Sequence, residues 1–252
     1  MTASLTHHGR TYAFDPTAPL DISLPLAPGA GQVNCFWAEP VSIETIRVGS
    51  FVGSVRAGGA TNYQRVSLTP HGNGTHTECY GHIAPEAPEA TLPACLTQFL
   101  FVAELISLPV HTLSNADRII LLADVQAALA QADHPEAVVF RTLPNEAAKR
   151  VRQYSGTNPP YPAPGIGAWL AAQGIGHWLL DLPSVDRELD DGRLENHHQF
   201  WQYPAAPRRA ATITELVFVP DTAADGRYLL NLQITSLASD ASPSKPVLYA
   251  LT

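Results

Sequence analysis

The segment TPHGNGTHTECYGH, residues 69–82, holds three of the ten histidines, His71, His76 and His82, and one acid, Glu78. In an extended segment, residues two apart point to the same side, so His76, Glu78 and His82 would share one side. Imidazole nitrogens and carboxylate oxygens bind zinc and similar divalent ions. The spacing predicts a metal site, although histidines in a glycine-rich loop are also common as simple polar residues.

The residues around this segment predict that it lies at the end of a strand. Residues 63–69 alternate between apolar and polar side chains, which is typical of a strand that leads directly into the motif. The Gly-Asn-Gly at residues 72–74 accepts positive φ, so the chain can turn sharply before His76.

Most of the remaining chain is predicted to form strands, with short helices between some of them. Strands are expected near residues 20–26, 41–48, 99–107, 137–142, 177–181, 211–219, 228–234 and 247–251, and helices at 119–131 and 166–173. Asp225-Gly226 predicts a hairpin between the strands at 211–219 and 228–234. Residues 1–20 are expected to be irregular, and residues 187–210 are charged and aromatic. The pattern indicates one α/β domain over residues 1–252, built on a mixed, barrel-like sheet.

Composition and charge favour a compact protein that acts on a small molecule. Hydrophobic residues make up 45% of the chain, and the formal net charge is −8. A surface for nucleic acid or anionic membrane needs clustered Lys and Arg, which are absent here. Three cysteines without a C-x-x-C pattern argue against a disulfide framework. Without a signal-like N-terminus or an apolar run of about 18 residues, a cytoplasmic location is expected.

A metal centre needs ligands from more than one segment, and the second half of the chain offers candidates. His197 and His198 precede an aromatic pair, and Glu215 is the only carboxylate in an apolar strand. A surface histidine pair and an edge glutamate are the competing interpretations.

With these residues in view, the sequence resembles the Putative cyclase family, the kynurenine formamidase-like metal-dependent hydrolases. The family hallmark reads H-x-G-T-H-x-D-x-P-x-H, and Gly74-Thr-His-Thr-Glu78 with His82 matches it, with Glu in place of Asp. Similar matches follow in family order at residues 21–26, 138–142, 169–176, 181–186, 197–201 and 213–215. The resemblance therefore extends over nearly the whole chain.

The resemblance implies a swivelling β/β/α cyclase-like fold and hydrolysis of an amide, either an N-formyl arylamine or a cyclic amide. It implies Zn²⁺, or alternatively Mn²⁺, and a homodimer or homotetramer. By motif position the implied ligands are His76, Glu78, His197 and Glu215, with His198 as the alternative to His197. His82 would be a ligand or the acid/base that works beside the metal.

Three departures from the family pattern affect the site. The first family histidine should stand at position 72, where this chain has Gly72; His71 can take its place only if residues 72–74 form a bulge. Tyr80 replaces the family proline, and the interval between His197 and Glu215 is longer than usual. Phe36 and Trp37 follow the opening loop, where relatives place pocket residues, so they are expected either to pack on substrate or to belong to the core.

These observations leave two functional hypotheses. In the first, a bound divalent ion activates water, His82 transfers its proton to the leaving nitrogen, and Asp181 or Asp186 orients a ligand histidine. In the second, the chain is a catalytically degenerate family member that serves as a binding or structural protein. The departure at Gly72 and the modified loop between His197 and Glu215 motivate the second hypothesis.

Overall fold

The computed structural model describes all 252 residues. The first eight strands are β1 Ala3–His7, β2 Arg10–Phe14, β3 Leu20–Asp21, β4 Ser42–Thr45, β5 Arg47–Val48, β6 Phe51–Val52, β7 Gln64–Ser67 and β8 His76–Glu78. The later strands are β9 Leu100–Pro109, β10 His111–Thr112, β11 Arg118–Ile120, β12 Ala137–Leu143, β13 Tyr161–Pro162, β14 His177–Leu180, β15 Thr212–Glu215, β16 Gly226–Ile234 and β17 Ala241–Ala250.

A closed mixed barrel forms the centre of the molecule, which confirms the predicted barrel-like sheet. Its strand order is β16-β9-β12-β14-β15-β8-β17, and pairing between β16 and β17 closes it, while β3 adds to the outer edge of β17. Strands β9, β12, β14 and β15 run parallel, and β8, β16 and β17 join by antiparallel pairing. Six of the seven residues of β12 and all four of β14 are buried, as expected for parallel strands covered on both faces.

Five short α-helices connect the strands: α1 Pro70–Asn73, α2 Leu92–Cys95, α3 Leu122–Leu129, α4 Ile166–Ala172 and α5 Glu195–Trp201. Two residues after the end of α4, Gly174 has a φ of 80°, which lets the chain reverse into β14. Helices α4 and α5 approach closely, because Gly167 has no Cβ; one built there would lie 2.5 Å from the carbonyl oxygen of Asn196. This contact fixes α5 against the barrel.

The structure corrects several local predictions. Residues 1–20 are not irregular, since β1 and β2 form an antiparallel hairpin. The predicted Asp225-Gly226 hairpin is wrong: β15 pairs with β14 and β8, whereas β16 pairs with β9 and β17. The helix expected at 119–131 is preceded by β11, and residues 187–210 contain α5. Long-range strand pairing overrides the local turn signal in the hairpin.

One large apolar cluster of 38 buried residues fills the space between the barrel and its helices. Its largest fully buried side chains include Trp178, Trp201 and Phe140. The three cysteines are free and buried. None of the helices combines the length and the apolar character needed to cross a membrane.

Candidate metal centre

His76 and Glu215 face each other across the pairing of β8 with β15. They are direct partners in the antiparallel register, which brings His76 Nε2 to 3.3 Å from Glu215 Oε2. Both side chains are buried. The second oxygen of the glutamate, Oε1, accepts a hydrogen bond from the backbone N–H of Val185 at 3.1 Å, which fixes its orientation.

The backbone determines which nitrogen of His76 is free to bind a ligand. Nδ1 lies 2.9 Å from the carbonyl oxygen of Gly74, and because a carbonyl only accepts, Nδ1 must carry the proton and donate it. In the neutral form of the ring, Nε2 is therefore the unprotonated nitrogen, and it faces Glu215. A lone pair facing a carboxylate oxygen is the arrangement that a shared cation stabilises.

Glu78 lies between histidines from three different segments. Its Oε1 is 3.1 Å from His197 Nε2, and its Oε2 is 3.1 Å from His71 Nδ1 and 3.8 Å from His82 Nδ1. The carboxylate is almost completely buried. A buried carboxylate with this many imidazole neighbours can bridge or bind a cation.

His197 reaches Glu78 because hydrogen bonds hold its ring and helix α5 in place. Asp186 Oδ2 accepts a hydrogen bond from His197 Nδ1 at 2.6 Å, which leaves Nε2 directed at Glu78. The Asn196 side chain anchors the helix, accepting from the Gly167 N–H and donating to the carbonyls of Pro162 and Val185. Asp186 is thus the residue that orients His197.

His71 reaches the centre by a different route from the expected bulge. Residues 70–73 form α1, and this helical turn brings His71 Nδ1 to Glu78 although His71 stands five residues before His76. Gly72 packs against the loop at residues 35–38, so the position of the missing family histidine points away from the centre. The predicted bulge is wrong, and the helical turn takes its role.

His82 comes from the 3₁₀ turn Tyr80–Ile83 rather than from a continued strand. Its Nδ1 lies 3.4 Å from Oδ2 of Asp240, and the same oxygen is 2.9 Å from His71 Nε2. Asp240 was missed by sequence reasoning. It immediately precedes β17, whose pairing sets Ala241 opposite Glu78, and no local motif marks it.

Two buried atoms that lack hydrogen-bond partners indicate whether a cation fits among these residues. His76 Nε2 and Glu78 Oε2 are buried and have no hydrogen-bond partner, since their close contacts with Glu215 and His71 lack hydrogen-bond geometry. Buried polar atoms are normally satisfied. Three groups drawn from these residues place one ligand atom each within 4.8 Å of one another: His71/His76/Glu78, Glu78/His82/His197 and His71/His82/Asp240. The residues therefore fit a divalent ion.

The pKa shifts of His71, His197 and Glu78 reflect the negative charge of the carboxylates at this centre. Burial lowers the pKa of His71, but the hydrogen bond to Asp240 and the negative charge of Glu78 outweigh it and raise that pKa to about 10. Burial also lowers the pKa of His197, but hydrogen bonds to Asp186 and Glu78 outweigh this effect and raise that pKa to about 10. Burial raises the pKa of Glu78, yet the charges and hydrogen bonds of His82 and His197 hold it well below its usual range. Without a cation, protons on imidazoles compensate the carboxylates.

A cavity of about 540 Å³ opens onto these residues. Its wall includes His71, His82, His197 and Glu215, together with Phe36 on one side and residues 187–192 on the other. Trp37 does not line it: the chain turns with positive φ at Phe36 and Trp37, and the Trp37 ring is left 64% exposed. The residues between His197 and Glu215 do not line the cavity either.

Two other sequence candidates lie away from the centre. His198 Nδ1 is 3.1 Å from the carbonyl oxygen of Tyr203, so of the histidine pair it is His197 that faces Glu78. Asp181 does not orient a histidine. It forms a buried ion pair with Lys149, 2.8 Å away, and accepts hydrogen bonds from Thr142.

Comparison with solved structures finds the same fold over nearly the whole chain. A predicted metal-dependent hydrolase from Bacillus stearothermophilus shares 18% identity at a TM-score of 0.63, covering 92% of this chain and 98% of the other. An isatin hydrolase bound to the product analogue thioisatinate shares 16% identity at a TM-score of 0.66, covering 93% and 92%. Isatin hydrolase A from Labrenzia aggregata shares 14% identity at a TM-score of 0.62, covering 92% and 93%.

A comparison with curated protein sequences finds no match. The family model described as Putative cyclase matches residues 17–187, which include the motif at 71–82 and Asp186. His197, Glu215 and Asp240 lie beyond that match, and the fold brings them to the same point. The barrel has the expected cyclase-like fold, and the chain belongs to the Putative cyclase family.

Proposed function

We propose that this chain is a metal-dependent hydrolase that cleaves an amide by means of activated water. The observation that carries the proposal is the pair of buried, unpartnered acceptors, His76 Nε2 and Glu78 Oε2, beside an open cavity. Such atoms are costly unless a cation or a proton satisfies them. Family membership and the fold shared with isatin hydrolases support the same reaction class.

His71, His76, Glu78, His197 and Glu215 would hold the ion, which we propose to be Zn²⁺ or alternatively Mn²⁺. When bound, such an ion lowers the pKa of a water molecule and polarises a carbonyl. The chain contributes the ligand geometry: Gly74 fixes the His76 ring, Asp186 the His197 ring and Val185 the Glu215 carboxylate. Ligands fixed in this way need little reorganisation on binding.

His82 is the proposed acid/base. Its Nδ1 is directed toward Asp240 and Glu78, and its side chain is 29% exposed at the wall of the cavity. The remaining nitrogen, Nε2, would accept a proton from the attacking water and return it to the leaving nitrogen. A histidine suits this role because its ordinary pKa lies near neutrality.

The proposed substrates are N-formyl arylamines and cyclic amides attached to an aromatic ring. The relatives described as isatin hydrolases act on a compound of the second kind. Phe36 supplies an aromatic side chain at the cavity wall, 37% exposed, on which such a ring could pack. The alternative of a catalytically degenerate protein is less well supported at one point, because His71 lies beside Glu78 although Gly72 stands at the family position.

Hydrolysis assays with a panel of aryl formamides and aromatic lactams test the proposal. His82→Ala should abolish most turnover while the metal content stays at the parent value. His197→Ala should lower metal content and turnover together, whereas His198→Ala, its neighbour on the same helix, should change neither. Parent-rate hydrolysis by His82→Ala with metal bound would contradict the acid/base role.

A further inference from the structure

Asp240 contacts two imidazoles of the metal centre with a single carboxylate oxygen. Its Oδ2 is hydrogen-bonded to His71 Nε2 at 2.9 Å and lies 3.4 Å from His82 Nδ1. The two rings lie side by side, with centroids 4.3 Å apart and planes inclined by 34°. Asp240 pairs with no lysine or arginine, so these two histidines are its only ionic partners.

The backbone and a neighbouring hydroxyl hold the Asp240 carboxylate in this position. The N–H of Cys79 donates to the carbonyl oxygen of Asp240 at 3.0 Å. The next residue, Ala241, is opposite Glu78 in the pairing of β17 with β8. Oδ1 of Asp240 accepts a hydrogen bond from the Ser239 hydroxyl at 3.0 Å, which leaves Oδ2 for the two rings.

The other two histidines of the centre show what such a contact does. His76 and His197 are each oriented by an acceptor on the ring nitrogen that faces away from the ligand site. Partners of this kind fix the tautomer and the orientation of a ligand ring. His71 and His82 have only Asp240 for this purpose, because their other carboxylate contact is with a proposed metal ligand.

We propose that Asp240 is a positioning residue that fixes the proton on both rings, an assignment that rests on the proposed function. A carboxylate that is 31% exposed is ionised at neutral pH and only accepts hydrogen bonds, so each ring nitrogen facing it carries a proton. In neutral His71 that proton is on Nε2, which leaves Nδ1 to bind the ion beside Glu78. In neutral His82 it is on Nδ1, which leaves Nε2 as the base.

The contact between Asp240 and His82 is longer than a formed hydrogen bond between a charged pair, which measures about 2.7–2.9 Å. Contacts between catalytic groups are often long before substrate binds and tighten afterwards. Glu78 is the competing carboxylate, but it lies farther from His82 Nδ1, at 3.8 Å, and would be occupied by the ion. Asp240 is therefore the acceptor available to this proton.

Asp240 lies outside the cavity that would hold the substrate. It lines a neighbouring cavity of about 770 Å³ and is absent from the wall that contains Phe36, whereas His82 lines both cavities. Substitution of Asp240 should therefore leave the substrate's own contacts intact. Its effect on hydrolysis should appear in kcat rather than in KM.

Zinc titration and steady-state kinetics of Asp240→Ala test the assignment. Competition with a chelator should show a zinc affinity lower by roughly 10–100-fold, because His71 loses its orienting partner. At saturating zinc, kcat should fall by at least roughly tenfold, with KM within about twofold of the parent value. Glu86→Ala, which removes an exposed acid from the wall of the same neighbouring cavity, is the matched control and should change neither. Parent-like zinc affinity and kcat in Asp240→Ala would overturn the proposal.

Asp240→Asn separates this role from a purely structural one. The two rings share Oδ2, and an amide oxygen can accept from both, while the Ser239 hydroxyl can accept from the amide N–H. This variant should keep zinc affinity and kcat between those of Asp240→Ala and the parent, and circular dichroism verifies that all variants are folded. Losses as large as those of Asp240→Ala would overturn the acceptor role of Oδ2.

Nitrogen-15 NMR of the zinc-loaded protein measures the tautomers directly and does not depend on turnover. At about pH 8, where histidine is ordinarily neutral, the parent should carry the His82 proton on Nδ1, and Asp240→Ala should lose this preference. A parent with that proton on Nε2 would overturn the proposal even in an active enzyme. A chain that binds zinc and shows the expected tautomer but hydrolyses no amide would support the assignment and contradict the proposed reaction alone.

Discussion

His76 Nε2 and Glu215 Oε2 lie 3.3 Å apart at directly opposite positions of β8 and β15. The two residues are 139 positions apart in sequence, and the strand register brings them together. Since Nδ1 of His76 donates to Gly74, Nε2 of the neutral ring is an acceptor, and it faces a carboxylate oxygen that is also an acceptor. The barrel thus holds a pair of acceptors that a divalent ion would satisfy.

Asp186→Asn should weaken metal binding without removing a proposed ligand. The amide cannot accept both the Nδ1–H of His197 and the backbone N–H groups of α5 as the carboxylate does. Loss of a partner that orients a ligand costs about 10–100-fold in metal affinity. Competition titration with a chelator measures it, with Asp191→Asn on the exposed rim as the control. Unchanged affinity in Asp186→Asn would show that His197 needs no orienting group.

Moving the histidine to its family position should fail. A Cβ at Gly72 would lie 2.2 Å from Ala38 Cβ and 3.0 Å from the carbonyl oxygen of Cys35. Gly72→Ala alone should lower the free energy of unfolding by about 1–3 kcal/mol through overpacking. The exchange His71→Gly with Gly72→His should bind less metal than the parent in elemental analysis. Parent-level metal in a stably folded exchange variant would contradict the assignment of His71.

The predictability of this site differs from residue to residue. His76, Glu78 and Glu215 could be proposed as candidates because their spacing and strand context are local, and His197 because of its position in the family pattern. Asp240 could not, since its place beside His71 and His82 depends on the long-range pairing of β17 with β8. The route of His71 was mistaken because a four-residue helical turn has no clear sequence signal.

The fold likewise contains elements that the sequence predicts and elements that it does not. Strands β9, β12 and β14 were recognisable as continuous apolar runs, because parallel strands are buried on both faces. The Asp225-Gly226 turn misled the topology, since β16 pairs with β9 and β17 and local turn chemistry carries no information about such distant partners. The β1–β2 hairpin was missed because only one of its ten residues is buried, so its apolar patterning is weak.

Acid should destabilise the protein partly through His177, which lies away from the metal centre. Burial, aided by the charge of Arg208, lowers its pKa to about 3. Unfolded histidine titrates near pH 6.5, so below that pH the unfolded chain binds a proton that the folded chain does not. The free energy of unfolding should therefore fall as pH drops, by about 2 kcal/mol between pH 7 and pH 5 from this group.

His177→Asn isolates that contribution, because its amide can still meet the Thr212 hydroxyl that His177 Nδ1 contacts at 2.8 Å. Urea unfolding of both proteins at the two pH values measures the difference. The variant should lose about 2 kcal/mol less than the parent. Identical losses would mean that His177 does not titrate on unfolding.

Lys149→Met should destabilise the fold without affecting the ligands. The Lys149 ammonium is buried, donates to Thr142 and pairs with the fully buried Asp181 at 2.8 Å. Removing one member of a buried pair leaves an uncompensated charge and costs about 3–5 kcal/mol. Denaturant unfolding measures the loss, and a change below about 1 kcal/mol would contradict a structural role for the pair.

The most direct test of the metal centre is elemental analysis of the protein purified without chelator, beside the His76→Ala and Glu78→Gln variants. The account predicts near-stoichiometric zinc or manganese in the parent and strongly reduced metal in both variants. A parent protein that purifies without metal and does not take up added zinc or manganese would contradict it.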